Sequence, residues 1–283
     1  ASMVFAIKKL SWHYRSRSEE LIAFSNRRFY QGRLITIPQA KRHTDGFGID
    51  FYPTDGIYDV KTQTNRIEAF KVVDLVVEAM RTYPNRSLGV ITFSSAQADL
   101  IEEVLEERKK NEQLPADYFS MEKDEPFFIK NLESVQGDER DIIIFSICYG
   151  YNKEKKFYQR FGPLNNVGGE KRLNVAVTRA KYNIRVVTSI HASDIRLEKT
   201  DSLGVQYLKE YLDYAEHIQT KMLPKQPSYD GVLESVCRFL EDQGYLCHPL
   251  VGTSDFKIVL AVSHPVTKEY KMAVMLDAVR SCV

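Results

Sequence analysis

The chain has 283 residues, 43% hydrophobic and 27% charged, enough for one large or two modest globular domains and too apolar for a disordered segment. The formal net charge is +1, so no global field draws nucleic acid or membrane, and any such binding must come from local basic patches. Four cysteines, Cys148, Cys237, Cys247 and Cys282, are scattered without CxxC spacing. That argues against a zinc or disulfide framework and fits a reducing cytoplasm; no apolar run is long enough to span a membrane, and no signal peptide is visible.

In chain order, Lys8–Arg15 leads into a helix. Ser16 and Glu19 are spaced as its capping box, and Leu21, Ile22, Ser25 and Phe29 continue one face. Gly32–Gly56 is a long Gly- and Pro-containing segment with a strand-like Gly48–Tyr52. Asn65 and Glu68 form a second capping box for a helix to about Tyr83, ended by Pro84-Asn85. Its stripe Ile67, Phe70, Val73, Leu75, Val77 and Met80 reads as core. Leu88–Phe93 is a strand and Ala96–Lys109 a charged-faced helix.

Two Ile- and Val-rich runs follow, Asp141–Cys148 and Asn183–Ser189. They are too short for helices and lack polar alternation, so they predict buried strands. The turn Gln136-Gly137-Asp138-Glu139 precedes the first, and a helix over Lys171–Lys181 precedes the second, with Leu173, Ala176, Val177 and Ala180 at helical spacing. Between them, Tyr151–Gly168 is polar, aromatic and without period. Its Phe157, Tyr158 and Phe161, among Lys155, Lys156 and Arg160, either stack bases beside phosphates or pack on one another.

Strand–helix alternation predicts an α/β fold, a mostly parallel sheet flanked by helices. Ser202–Ile218 is an amphipathic helix with Leu208, Leu212 and Ala215. Lys221–Ser228, with two prolines, reads as a linker. Beyond it come a helix, Gly231–Gln243, and strands Tyr245–Val251, Phe256–Val262 and Tyr270–Leu276, the last two joined by the turn Pro265–Glu269. The expected division is a domain over 4–218, a linker over 219–228 and a small α+β unit over 229–283.

Two polar residues stand out. Arg179 closes an apolar helix, where it either satisfies helix-end carbonyls or aims a planar guanidinium at a phosphate. Glu139 is either a solvated turn carboxylate or an acceptor for sugar hydroxyls. Basic clusters occur at Arg27, Arg28 and Arg33, at Lys41 and Arg42, and at Lys153, Lys155, Lys156 and Arg160; each suits a solvated face as well as a phosphate track.

The order of these segments is more specific than any one of them. NLESVQGDERDIIIFS followed by KRLNVAVTRAK resembles the fifth and sixth motifs of superfamily-1 helicases, in the subgroup of the nonsense-mediated-decay helicase and its bacterial relatives. LSWHYRSRSEELIAFSNRRFY resembles the opening of that family's second RecA-like lobe, and GVITFSSAQADLIEEVL its fourth motif. The resemblance implies that Arg15 and Arg179 reach the terminal phosphates of ATP as arginine fingers. It places Gln136, Gly137 and Glu139 beside the nucleotide, with Glu139 near the ribose. It places Thr92, Ser94 and Asn131 on the nucleic-acid strand, Asn131 standing where many relatives have Thr.

No GxxxxGK[ST] occurs. The resemblance therefore implies part of a larger helicase, whose first RecA-like lobe would supply the phosphate loop and the Mg2+ carboxylates. The expected partners are that lobe and nucleic acid, DNA favoured over RNA. The expected cofactors are ATP and Mg2+ in the full-length protein, with no activity in this chain alone.

The tail, LESVCRFLEDQGY…VGTSDFKIVLAVSHP…YKMAVMLDA, resembles the start of a restriction-endonuclease-like domain. Val259 and Met275 occupy positions of metal-binding carboxylates, Asp277 remains, and Glu234 lies near a third. Val and Met cannot ligate a hard cation, so the resemblance implies a degenerate or truncated unit without a metal site. The alternatives are a nuclease delivered by a helicase module, which the missing carboxylates disfavour, and a non-catalytic RecA-like scaffold, which Arg15, Glu139 and Arg179 disfavour.

Overall fold

The structure, a computed structural model, describes residues 12–38, 46–218, 231–254 and 256–275. The predicted linker, Lys41, Arg42, Asp277 and Cys282 lie outside the described residues. No helix among those described is long and apolar enough to cross a membrane.

Helix α1 (Glu19–Phe29) precedes strand β1 (Gly48–Pro53), α2 (Arg66–Thr82), β2 (Leu88–Thr92), α3 (Ser95–Glu112), β3 (Phe128–Asn131), β4 (Arg140–Ser146), α4 (Gly169–Val177), β5 (Ala180–Thr188) and α5 (Leu203–Glu216). The strands form one sheet in the order β1-β5-β4-β2-β3, and every pairing in it is parallel. This is the parallel, helix-flanked α/β sheet the alternation predicts, consistent with the RecA-like fold the resemblance implies.

Both faces of the sheet are covered, which is why its central strands show no polar alternation. Ile142 and Ile144 of β4 face the cluster built on α2 and α3. Their neighbours Ile143 and Phe145 face the cluster of α1, α4 and α5, where Phe24 meets Tyr211 edge-on at 5.2 Å. Most parallel crossovers carry a helix, but β3 reaches β4 through Leu132–Glu139 alone, anchored by buried Leu132 and Val135.

A second sheet, antiparallel β6-β7-β8, combines β6 (Leu246–Val251), β7 (Ile258–Ser263) and β8 (Tyr270–Val274) with helix α6 (Gly231–Asp242). Its small core pairs Cys237 of α6 with Leu260 and Val262 of β7.

Several expectations need correction. The first helix is not capped by Ser16 and Glu19. Ser18 is its N-cap, without a side-chain bond, while the Ser16 hydroxyl bonds His13 Nε2 at 2.9 Å. Asn65 does cap α2, accepting from Glu68 N, but the Glu68 carboxylate turns inward to other partners. In the predicted α2 stripe, Ile67 and Phe70 are exposed, and Phe70 lies under Arg66 at 5.2 Å. The helix expected over Lys171–Lys181 runs over Gly169–Val177. Ala180 already pairs with Arg140 across the sheet, so Arg179 sits in the link between helix and strand, not on the helix. Cys148 falls beyond β4, at φ +69°.

Candidate functional site

Arg15, Glu139 and Arg179 lie 164 residues apart at most in sequence and converge in space at the N-terminal ends of β4 and β5. Three short links place them: the turn before α1, the loop before β4 and the α4–β5 connection. Backbone bonds lock these links together, with Arg17 N donating to Lys181 O at 2.7 Å and Arg140 N to Arg179 O at 3.1 Å. The Arg15 turn is itself braced by His13, whose Nε2 accepts from Ser16 N at 3.1 Å. Burial first, and then the Arg15 charge, hold the His13 imidazole below its usual range, consistent with a neutral acceptor.

Arg15 Nε meets Glu139 Oε2 at 2.8 Å, and both side chains are more than a third exposed. Lys181 Nζ lies 3.7 Å from the other Glu139 oxygen and pairs with Glu125. The Arg179 guanidinium is braced by carbonyls: Nε donates to Val175 O at 2.8 Å and Nη1 to Asp138 O at 3.3 Å, while Nη2 donates to Thr178 Oγ1 at 3.2 Å. Burial, and then the neighbouring Arg15 charge, push Arg179 below its ordinary value. Two guanidiniums and an ammonium thus flank one carboxylate. Arg179 thus satisfies a helix-end carbonyl, that of Val175, and three protein bonds leave part of its five-donor guanidinium uncommitted.

Gln136 and Gly137 occupy the exposed turn before Glu139. Gly137 has φ +94° and open space where a Cβ would stand, so backbone conformation, not close approach, requires glycine there. Gln136 also lines a shallow cavity of about 450 Å³ with Arg172 and Lys171 of α4.

Thr92, Ser94 and Asn131 lie at the opposite edge, where β2 and β3 end side by side. The Thr92 hydroxyl is buried and donates to Ser94 O at 2.7 Å; the Ser94 hydroxyl is buried and donates to Gln63 O at 3.1 Å. These two shape the edge but do not present free hydroxyls. Asn131 is half-buried; its Oδ1 accepts from Glu133 N and Ser134 N, and its Nδ2 donates to Ser95 Oγ at 2.7 Å. The segment Leu132–Glu139 therefore joins Asn131 at one edge to Glu139 at the other.

Sequence reasoning missed three features. Lys181 shares Glu139 with Arg15, and its only signal was its place two residues after Arg179. A cavity of about 760 Å³ opens beside Tyr58, Lys61, Tyr149, Lys153, Tyr158 and Arg160. Of the aromatics expected in that loop, Tyr158 is exposed, Phe157 partly buried and Phe161 wholly inside the core, edge-on to Tyr149 at 5.6 Å. Phe161 therefore packs and does not stack on a ligand.

The third is a buried polar network under the same edge. Glu68 accepts from Cys148 N at 2.7 Å, Ser189 Oγ at 2.8 Å and Ser146 Oγ at 2.9 Å, and Gln97 Nε2 donates to Ser146 Oγ at 3.1 Å. Burial pushes the Glu68 carboxyl up to about 7, against the pull of these donors. Elsewhere, Arg28 of the first basic cluster pairs with Glu210 at 2.7 Å, and Arg27 lies over the Tyr214 ring. In the C-terminal unit, Leu260 and Val262 turn to the small core and Val259 falls at the alternate position on the strand. Among the described residues, no three of His, Cys, Asp and Glu come together as a metal site.

A family model described as an AAA domain matches residues 4–191. The "Uncharacterized ATP-dependent helicase MG140" of Mycoplasma genitalium is 42% identical over 212 residues, which cover 73% of this chain and 18% of that protein. Its homolog in Mycoplasma pneumoniae is 41% identical, with the same coverage. The chain thus spans less than a fifth of the length of these curated relatives. Among solved structures, the C-terminal domain of a possible DNA helicase from Lactobacillus plantarum WCFS1 aligns over 62% of this chain and 86% of that one, at 15% identity and a TM-score of 0.35.

Proposed function

The chain belongs to the AAA-domain family, and from that premise we propose that it is the second RecA-like lobe of an ATP-dependent superfamily-1 helicase or translocase. The observation that carries this reading is the convergence of Arg15, Glu139 and Arg179 on one sheet edge. A chance helix-end arginine would not need a second guanidinium beside it.

Arg15 and Arg179 fit the terminal phosphates of ATP, because both offer forked donors at a partly exposed edge and Arg179 is preset by three bonds to chain oxygens. ATP with Mg2+ would supply the reactive phosphoryl group. Both arginines stabilise charge that develops on its oxygens, and Glu139 holds Arg15 until they arrive. The phosphate loop and the magnesium carboxylates belong to a first lobe that packs against this edge. The nucleic-acid strand crosses the opposite edge at Asn131, with Thr92 and Ser94 beneath it; DNA is favoured over RNA.

Residues 4–218 form the lobe, 219–228 the linker, and 229–283 a partial, degenerate restriction-endonuclease-like unit without metal chemistry. The test is ATP turnover at saturating ATP in the longer protein. Arg179→Ala is expected to remove most of it, since arginine fingers contribute roughly a thousandfold or more in related phosphoryl transfer. Unchanged turnover in a folded variant would overturn the assignment.

A further inference from the structure

The C-terminal unit touches the body of the protein through the loop between β6 and β7, and it does so at the segment that carries Arg15. Ser254 is buried there. Its hydroxyl accepts from Thr36 N at 3.1 Å and donates to Thr36 O at 3.2 Å, so one side chain satisfies both backbone groups of a residue 218 positions away. Thr253 donates twice to Glu19 Oε1, from N and from Oγ1, each at 3.2 Å, and the Thr36 hydroxyl bonds the same oxygen. The Phe256 ring lies 6.2 Å from that of Trp12.

The loop is shaped for this approach. Gly252 has φ +138°, and a Cβ there would stand 3.0 Å from Pro38 Cγ and 2.8 Å from Phe256 O. Only glycine allows both the conformation and the closeness.

What the loop grips leads directly to the arginine. Thr36 follows Ile35, whose carbonyl accepts from His13 N at 2.9 Å and which bridges Trp12. Glu19 opens α1, four residues after Arg15. The segment Trp12–Arg17 is thus held by Ile35 on one side and by Lys181 on the other, and Arg15 projects from between them to Glu139. Removing one side would leave the turn with a single anchor.

We infer that the loop Gly252–Ser254 is a clamp that positions Arg15, so that the docking of the C-terminal unit governs how well that guanidinium is seated. Thr253 and Ser254 are positioning residues acting through Glu19 and Thr36. The unit need have no nuclease chemistry to matter, because its contribution is mechanical. The consequence for turnover rests on the finger role proposed above for Arg15; the clamp itself does not.

Two readouts on the 283-residue chain test the clamp. In Ser254→Ala and Thr253→Val, the His13, Ser16 and Arg17 amides are expected to exchange about fivefold faster, the factor for one lost hydrogen bond. Amides of β4 and β5 should keep their protection, showing that the fold persists. Trp12 is the sole tryptophan, and its emission should shift to the red as Phe256 leaves it. Gly252→Ala, which keeps every bonding side chain, should do the same by displacing the loop. Unchanged exchange over 12–17 and unchanged Trp12 emission in these variants would overturn the inference.

ATP turnover in the longer protein separates the two claims. With the clamp broken, kcat should fall while KM for ATP holds, as in Arg15→Ala. If Arg15→Ala lowers turnover and the Ser254→Ala and Gly252→Ala variants do not, the positioning role is wrong. If Arg15→Ala itself leaves turnover unchanged, the finger assignment fails, and the exchange result decides the clamp.

Discussion

Glu139 sits between Arg15 and Lys181 in the resting arrangement, so neither cation is alone and the carboxylate restrains both. The motif resemblance puts Glu139 near the ribose, so replacing it by Ala should mainly weaken nucleotide binding without removing a phosphate donor. The expected effect is a raised KM for ATP with a smaller loss of kcat, measured by steady-state hydrolysis in the longer protein. Arg179→Lys should recover little of the loss in Arg179→Ala. The carbonyls of Val175 and Asp138 hold a planar fork in place, and an ammonium on a flexible stem cannot be braced the same way.

Glu68 offers a second test at this scale. Its folded-state pKa is raised from 4.5 to about 7, so folding favours the protonated form. The associated stability is fully present below about pH 4.5 and is lost as pH rises through 7. Relative to Glu68→Gln, which cannot ionise, the native chain should lose about 3 kcal/mol between those limits. Thermal unfolding of both chains at pH 5 and pH 8 reads the difference, and the other carboxylates cancel in the comparison. A parallel pH response would show that Glu68 stays charged in its pocket.

Among the elements, β2 is closely fitted to β3. A Cβ on Gly89 would stand 2.4 Å from the Phe128 ring on β3, so the glycine makes room for that ring across the strand pair. Gly89→Ala should cost about 1–3 kcal/mol by overpacking, and Phe128→Leu in the same chain should recover part of it. Denaturant unfolding decides: an additive double variant would mean the ring is not what the glycine accommodates. The central strands were legible because parallel strands covered on both faces become unbroken Ile and Val runs, as in Ile142–Phe145, whereas the short, partly buried β3 was not. Helix ends were less legible, because long-range bonds choose them. Ser16 matches a cap by spacing, yet His13 takes its hydroxyl; Glu68 matches a capping box, yet Ser146, Ser189 and Cys148 take its carboxylate. Arg15, Glu139 and Arg179 were found through their motifs. Lys181 has only its place two residues after Arg179 as a signal, and Thr253 and Ser254 have none; the folded chain brings Lys181 to Glu139 and the other two to Glu19 and Thr36.

For the whole molecule, the chain by itself should not hydrolyse ATP and should bind it weakly at best, because one edge supplies arginines without a phosphate loop. It should also leave DNA uncut with magnesium; cleavage that a chelator abolishes would restore the nuclease reading. Adding the first lobe, in trans or by fusion, is expected to bring hydrolysis back, and a turnover assay with each half omitted checks this. The sheet order has a further consequence during synthesis. Among the described residues, β1 lies at the edge of the sheet and pairs only with β5, Gly48 opposite Asn183. At roughly 5–20 residues per second, β1 emerges from the ribosome on the order of ten seconds before its partner. Until then its ladder is open and Ile49 has no core to enter. The newborn chain must therefore shelter β1, and slowing translation between β1 and β5 should increase aggregation more than slowing it afterwards.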